Sequence, residues 1–381
     1  MNDYFALLKW PQAGWLLGLL LGLIIECIVQ LVSPNATLGM FLVVSISFPI
    51  FGFLFKLPPA SKMLKWFFLL LVLGVIYGAA SACLMHLYMQ EKNQFTGYPE
   101  ILLIQLKFSA FIALAFYCTF VSSNGLRFSY RTLFHESWQL FQKSILGTLL
   151  MLLLFGLCLF AATLFNLLNL SEISTVVYHP HFKLIALPLF FGIAMSVLHR
   201  HEELLRKLRV LLLAFCRVLY PAFVLISLSF LIALFFSSIK FSDLWSTINM
   251  LAFFNVILIN GVYQQGDWIE RPYGRIFSLL INALIFILTA YLAYDLQFPL
   301  KALQTVDSAS FVSGLATISP FRPGLLLLIF STILFAYHLG YSFAVIFQRV
   351  TWLELLKRVN ILLAVIIAVV YLGLVFLGCY Q

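Results

Sequence analysis

The chain has 381 residues, 63% hydrophobic and only 10% charged, with a mean hydropathy of +1.05. Soluble domains carry about one quarter charged residues, so no water-soluble fold hides this much apolar surface. The net charge of +9 does not point to nucleic acid, because the basic residues form small clusters between apolar runs rather than one basic face.

A helix crossing the hydrocarbon core needs about 20 mostly apolar residues, and such runs recur from end to end. Continuous Leu/Phe/Ile runs exclude a transmembrane β-barrel, whose strands alternate over roughly ten residues. The expected fold is all-α, a polytopic transmembrane helical bundle in one membrane domain, with no soluble domain. Eleven spans are predicted, at 13–32, 36–55, 66–88, 101–121, 144–168, 182–198, 210–237, 245–263, 276–295, 323–347 and 359–379. The first is no cleavable signal, because it is too long, contains Glu26 and lacks a small-residue cleavage pattern. Six cysteines fall in or at the ends of apolar runs without CxxC pairing, and read as small buried hydrophobes.

Alternating the connections from an inside N-terminus puts seventeen of the 23 lysines and arginines on the inner side. That bias predicts N-inside, C-outside.

In the first span, Gly14, Gly18 and Gly22 form a small-residue stripe suited to close helix contact. The matching Gly74, Gly78 and Ala82 in the third span make that helix its expected partner. Glu26 and Gln30 continue the stripe, and Glu26 lies about 24 Å along the helix from Trp10. Phe128 to Lys143 interleaves aromatic and charged residues and reads as a helix lying along the inner surface. The stretch 200–209 reads as an inner extension of span six, with Glu202–Arg206 and Glu203–Lys207 pairs and surplus positive charge for anionic lipid. A long outer connection, Gln297 to Arg322, reads as a lid or short surface helix.

The segment from Asn260 to Pro272 reads as an inner hairpin between spans eight and nine. Asn249, Asn260 and Gln264 share a helix face, and Asn282 returns to the depth of Asn260. Amides in hydrocarbon need partners, so an Asn260–Asn282 contact follows; packing glue is its plainer reading and a ligand-lining role the sharper one. The hairpin itself carries Tyr263, Gln264, Gly266 and Asp267.

On Leu133-Phe-His-Glu-Ser-Trp138, Leu244-Trp245 and Asn260-Gly-Val-Tyr-Gln-Gln-Gly266, the chain resembles a bacterial integral-membrane family, domain of unknown function 4153. The resemblance covers roughly residues 125 to 295. The chain departs from the family pattern at Asp295-Leu-Gln-Phe-Pro299, where the family carries an arginine-containing segment. The resemblance implies a multi-pass protein of the bacterial inner membrane and supplies no catalytic residue.

Ionisable groups within a bilayer are functional candidates by default. Glu26 and His338 qualify, the latter near the centre of span ten with Tyr337 and Tyr341 beside it. A neutral, hydrogen-bonded core histidine is the plainer reading. His179 and His181 resemble a ligand cluster, as do His199, His201, Glu202 and Glu203, yet span six separates them and they cannot share one metal. No metal or cofactor is assigned. Asn35-Ala-Thr37 and Asn169-Leu-Ser171 match glycosylation acceptors, a pattern common by chance. HExxH, GxSxG and Walker-type signatures are absent, which argues against an enzyme.

The expected function is therefore transporter-like or permease-like. Its polar path would run past Glu26, His338, Asn249, Asn260 and Asn282 and carry a small molecule or ion. The alternatives are a membrane scaffold or accessory subunit binding lipids or partner helices, and an intramembrane enzyme acting on a lipid-linked substrate.

Overall fold

A computed structural model describes residues 10–32, 35–90, 98–167, 171–236 and 350–379, together with positions 251, 254, 255 and 258. No strand occurs among the described residues. The helices are α1 (Trp10–Leu31), α2 (Ala36–Phe55), α3 (Met63–Gln90), α4 (Tyr98–Ser122), α5 (Tyr130–Leu167), α6 (Ser171–Tyr178), α7 (Pro180–Arg200), α8 (Glu202–Phe235) and α9 (Val350–Cys379), with a 3-10 turn at Ala60–Lys62.

Among the described residues six stretches are long and apolar enough to cross a membrane: Gly14–Leu31, Ala36–Phe55, Ala60–His86, Tyr130–Asn166, Pro180–Arg200 and Glu202–Phe230. Each carries one of the expected spans. Expected spans four and eleven fall on α4 and α9, where the apolar stretches Leu106–Ser122 and Asn360–Gly373 are shorter. Spans eight, nine and ten lie outside the described residues, apart from the four isolated positions. Pro49 and Pro188 each remove a backbone donor, yet α2 and α7 run through them unbroken.

The chain divides into two compact units, Met1–Arg209 with Ala368–Tyr380, and Val210–Ile367 with Gln381. In the second, Tyr220, Val224 and Ser227 of α8 are buried at helical spacing while Leu225 and Ile226 are exposed.

Helices α1 and α7 meet through the glycine stripe. A Cβ at Gly14 would stand 2.8 Å from Gly192 O, and one at Gly22 would stand 2.7 Å from Ile185 O. Gly18 abuts the backbone of Pro188, Leu189 and Gly192. As residue number rises along α1 its neighbour's falls along α7, so the two run antiparallel. The stripe brings backbones together as expected, but its partner is α7 and not the third span. Gly74 and Gly78 of α3 instead face α2, with a Cβ at Gly78 falling 2.7 Å from Phe41 O. Phe48 of α2 stacks on Tyr77 of α3, centroids 5.0 Å apart.

Polar side chains in these helices bond mostly to nearby backbone. Thr119 donates to Ala115 O, Ser137 to Leu133 O, Ser144 to Leu140 O and Ser196 to Gly192 O. Bonding one turn back satisfies a hydroxyl where water is scarce. Ser109 does more: it donates to Ala368 O at 2.8 Å and therefore accepts from Tyr77 O–H at 2.8 Å, linking α3, α4 and α9. Asn35 caps α2 by accepting from Leu38 N at 3.0 Å, which gives this acceptor-like triplet a structural role. Asn124, at φ 58°, ends α4 in the left-handed region that Asn tolerates. Cys27, Cys83, Cys118, Cys158 and Cys216 are free; Cys118 and Cys216 are buried, but Cys27 is exposed, against the expectation of burial.

Helix α5 corrects the expected surface helix. Residues 130–167 form one helix of 38 residues, about 57 Å long at 1.5 Å per residue. Its N-terminal third buries Glu136, Gln142 and Lys143 together with Leu133, Phe134 and Leu140, whereas Leu149, Leu152, Leu153 and Leu157 further along are exposed. In lipid the protected face of such a helix is the polar one, because a charge facing hydrocarbon costs more than an exposed leucine.

Candidate functional site

Charged side chains gather at the end of the first unit where α2, α4 and α7 finish and α5 and α8 begin. Lys56, just past α2, lies 3.2 Å from Glu136 Oε1, and Ser122 at the end of α4 donates to the same oxygen at 2.7 Å. Tyr117 O–H donates to Lys56 O at 2.9 Å and fixes the backbone beneath the lysine. Lys62 donates to Asn124 O at 3.0 Å, joining the loops after α2 and α4.

Two turns further along α5 from Glu136, Lys143 is 2% exposed. Its ammonium lies 3.1 Å from His199 Nδ1 and 3.4 Å from Glu202 Oε1. The other ring nitrogen of His199 is 2.9 Å from Leu54 O. A carbonyl only accepts and an ammonium only donates, so Nε2 carries the hydrogen and Nδ1 offers its lone pair. His199 is thereby a neutral relay between a buried cation and the end of α2. Glu202 satisfies the ammonium's charge from the first turn of α8, without which the burial of Lys143 would cost several kcal/mol. The expected Glu202–Arg206 pair is replaced by these contacts. Glu203 does pair as its spacing suggests, 3.6 Å from Lys207, and lies 3.8 Å from Arg206.

Between α5 and α8 opens a cleft of about 310 Å³. His135, Gln139 and Gln142 line one wall at helical spacing, and Glu202, Arg206 and Arg209 line the other. Arg209 contacts His135 Nδ1, and since a guanidinium only donates, His135 accepts. The Nε2 of Gln142 is buried with no hydrogen-bond partner. The signal for this cleft is visible as two i, i+4, i+7 rows, 135/139/142 and 202/206/209, once residues 128–143 and 200–209 are taken as the starts of membrane helices.

The opposite end of the α1–α7 pair carries Glu26. It is buried, accepts from Gln30 Nε2 at 2.6 Å and contacts His181 Nδ1. The pairing continues the register of the glycine stripe by one more turn. His181 stacks on His179, centroids 4.7 Å apart, and His179 caps α7. Glu26 Oε2 is buried without a hydrogen-bond partner.

Of the expected polar path, Glu26 is the member that lies among the described residues. His338, Asn249, Asn260, Asn282 and the hairpin residues Tyr263, Gln264, Gly266 and Asp267 lie outside them. His179 and His181 stand at the other end of α7 from His199, Glu202 and Glu203. Among the described residues no group of three or more His, Cys, Asp or Glu is gathered as a metal would need. No protein-family model, no curated protein and no solved structure matches this chain.

Proposed function

We propose that the chain is a permease-like protein of the bacterial inner membrane, passing a small polar solute or ion between its helices. The observation that carries this reading is Glu26, a carboxylate buried between α1 and α7 that keeps one oxygen without a hydrogen-bond partner. Retaining a half-satisfied charge there is costly, and such groups mark ion and substrate routes. The proposal includes eleven spans with the N-terminus inside and the C-terminus outside. Its support is that the lysine-bearing end of α2, the end of α4 and the start of α8 meet at one end of the first unit, as alternation requires. Kinship with the family of domain of unknown function 4153 belongs to the same proposal, with Leu133 to Trp138 on α5. The glycine faces of α1 and α3 are occupied by α7 and α2 of this chain, so they offer no seat to a partner helix, which favours transport over a scaffold.

Untargeted metabolite profiling of a deletion strain, complemented with wild type or Glu26→Gln, tests the reading. An accumulated or depleted solute restored by wild type and not by the variant is expected. Full restoration by Glu26→Gln removes the carboxylate from the mechanism. Reporters on both termini test the topology, and both reporting from one compartment would overturn the odd span count.

A further inference from the structure

The α5–α8 cleft contains two mismatches of the same sign. Arg209 has no carboxylate within ion-pair distance among the described residues and meets the neutral His135 instead. Gln142, only 4% exposed, lines the same cleft, and its buried amide nitrogen has no acceptor. The carboxylates nearby are already matched, Glu202 by Lys143 and Glu203 by Lys207 and Arg206. What the cleft lacks is therefore negative charge and acceptor oxygens. It also opens at the first turn of α8, where backbone N–H groups favour an anion. Ile145, one turn beyond Gln142 on α5, and Leu204, between Glu203 and Leu205 on α8, are exposed, so an acyl chain has apolar surface to follow.

We propose that this cleft is a phosphate-oxyanion site. Arg209 and Arg206 supply its charge and the Gln142 amide its buried hydrogen bond, and the phosphate belongs to an anionic lipid headgroup or to a free phosphate compound. An arginine fork matches phosphate geometry better than a point charge does. The site does not depend on transport through the helices.

The test uses full-length protein in detergent, probed with dioleoylphosphatidylglycerol, with inorganic phosphate and with dioleoylglycerol, by thermal melting and native mass spectrometry. Wild type is expected to be stabilised by the phospholipid or by phosphate but not by dioleoylglycerol. Binding of the phospholipid alone assigns a lipid headgroup; binding of inorganic phosphate assigns the free anion. Arg209→Gln should weaken binding by about tenfold, the factor of one charge-assisted hydrogen bond. Gln142→Met should melt higher than wild type without a probe, because an orphaned donor is gone, yet bind more weakly. That opposed pair of effects is not produced by a merely structural glutamine, and it decides the matter if Arg209→Gln does not fold. No binding of either phosphate probe, equal binding by both variants, or equal stabilisation by dioleoylglycerol would overturn the proposal.

Discussion

Lys143 Nζ and His199 Nδ1 stand 3.1 Å apart, a buried ammonium donating to a neutral imidazole. Placing a cation against a ring that could itself be charged makes sense because Glu202 lies 3.4 Å from the ammonium and the far ring nitrogen is committed to Leu54 O. The lysine's stem fills space and its head carries a desolvation cost, and the two can be separated. Lys143→Met keeps the volume and removes the charge, and Glu202, which is 57% exposed, stays solvated. It should lie within about 1 kcal/mol of wild type. Lys143→Ala should cost about 2–4 kcal/mol through the cavity it leaves. Apparent melting temperatures of the two variants in one detergent check the difference.

The Lys56–Glu136 pair should respond unequally to loss of either partner. Lys56 is 29% exposed on its side chain and Glu136 only 7%, so the lysine can reach water and the glutamate cannot. Lys56→Met therefore strands a buried carboxylate and should cost about 3–5 kcal/mol. Glu136→Leu should cost at least about 1 kcal/mol less, since Lys56 rehydrates. Denaturant or thermal series on both variants would show the order, and the reverse order would contradict the burial argument.

Growth at the α1–α7 seam should be intolerable, because what it meets is backbone. Gly22→Val pushes into Ile185 backbone and Gly18→Val into Pro188 and Gly192, so both are expected to lose the monodisperse folded protein. Gly156 has nothing within 4 Å, and Gly156→Ala should be neutral or stabilising by up to about 1 kcal/mol. Size-exclusion profiles after identical expression provide the comparison.

Glu26 and His181 should be energetically coupled. With His181 about half-exposed, a double-mutant cycle of Glu26→Gln and His181→Ala is expected to give roughly 0.5–1 kcal/mol. Additive effects on melting would mean that the contact contributes nothing.

Apolar run length fixed where helices lie: span two was expected at 36–55 and α2 is Ala36–Phe55. It could not reveal which helices touch. The Gly14/Gly18/Gly22 face states how near a neighbour comes, not which neighbour; the missed clue was Gly192 and Ser196 on α7, another small pair four residues apart. Around Phe128 to Lys143 the periodicity was legible and its sense was not, because a two-faced helix suits a membrane surface or a polar interior equally well. Glu26 stood out as the ionisable residue of its span. Its partner His181 is 155 positions away, and only the antiparallel register of the glycines brings it near.

The backbone-on-backbone seam has a mechanical corollary. Carbonyl and Cα atoms cannot swing aside as a leucine tip can, so α1 and α7 have no lubricant between them and must travel as a single rod. Whatever rocking a working cycle requires has to slip where contact is made by pliable side chains, as where Phe191 and Met195 of α7 cover Gly147 of α5.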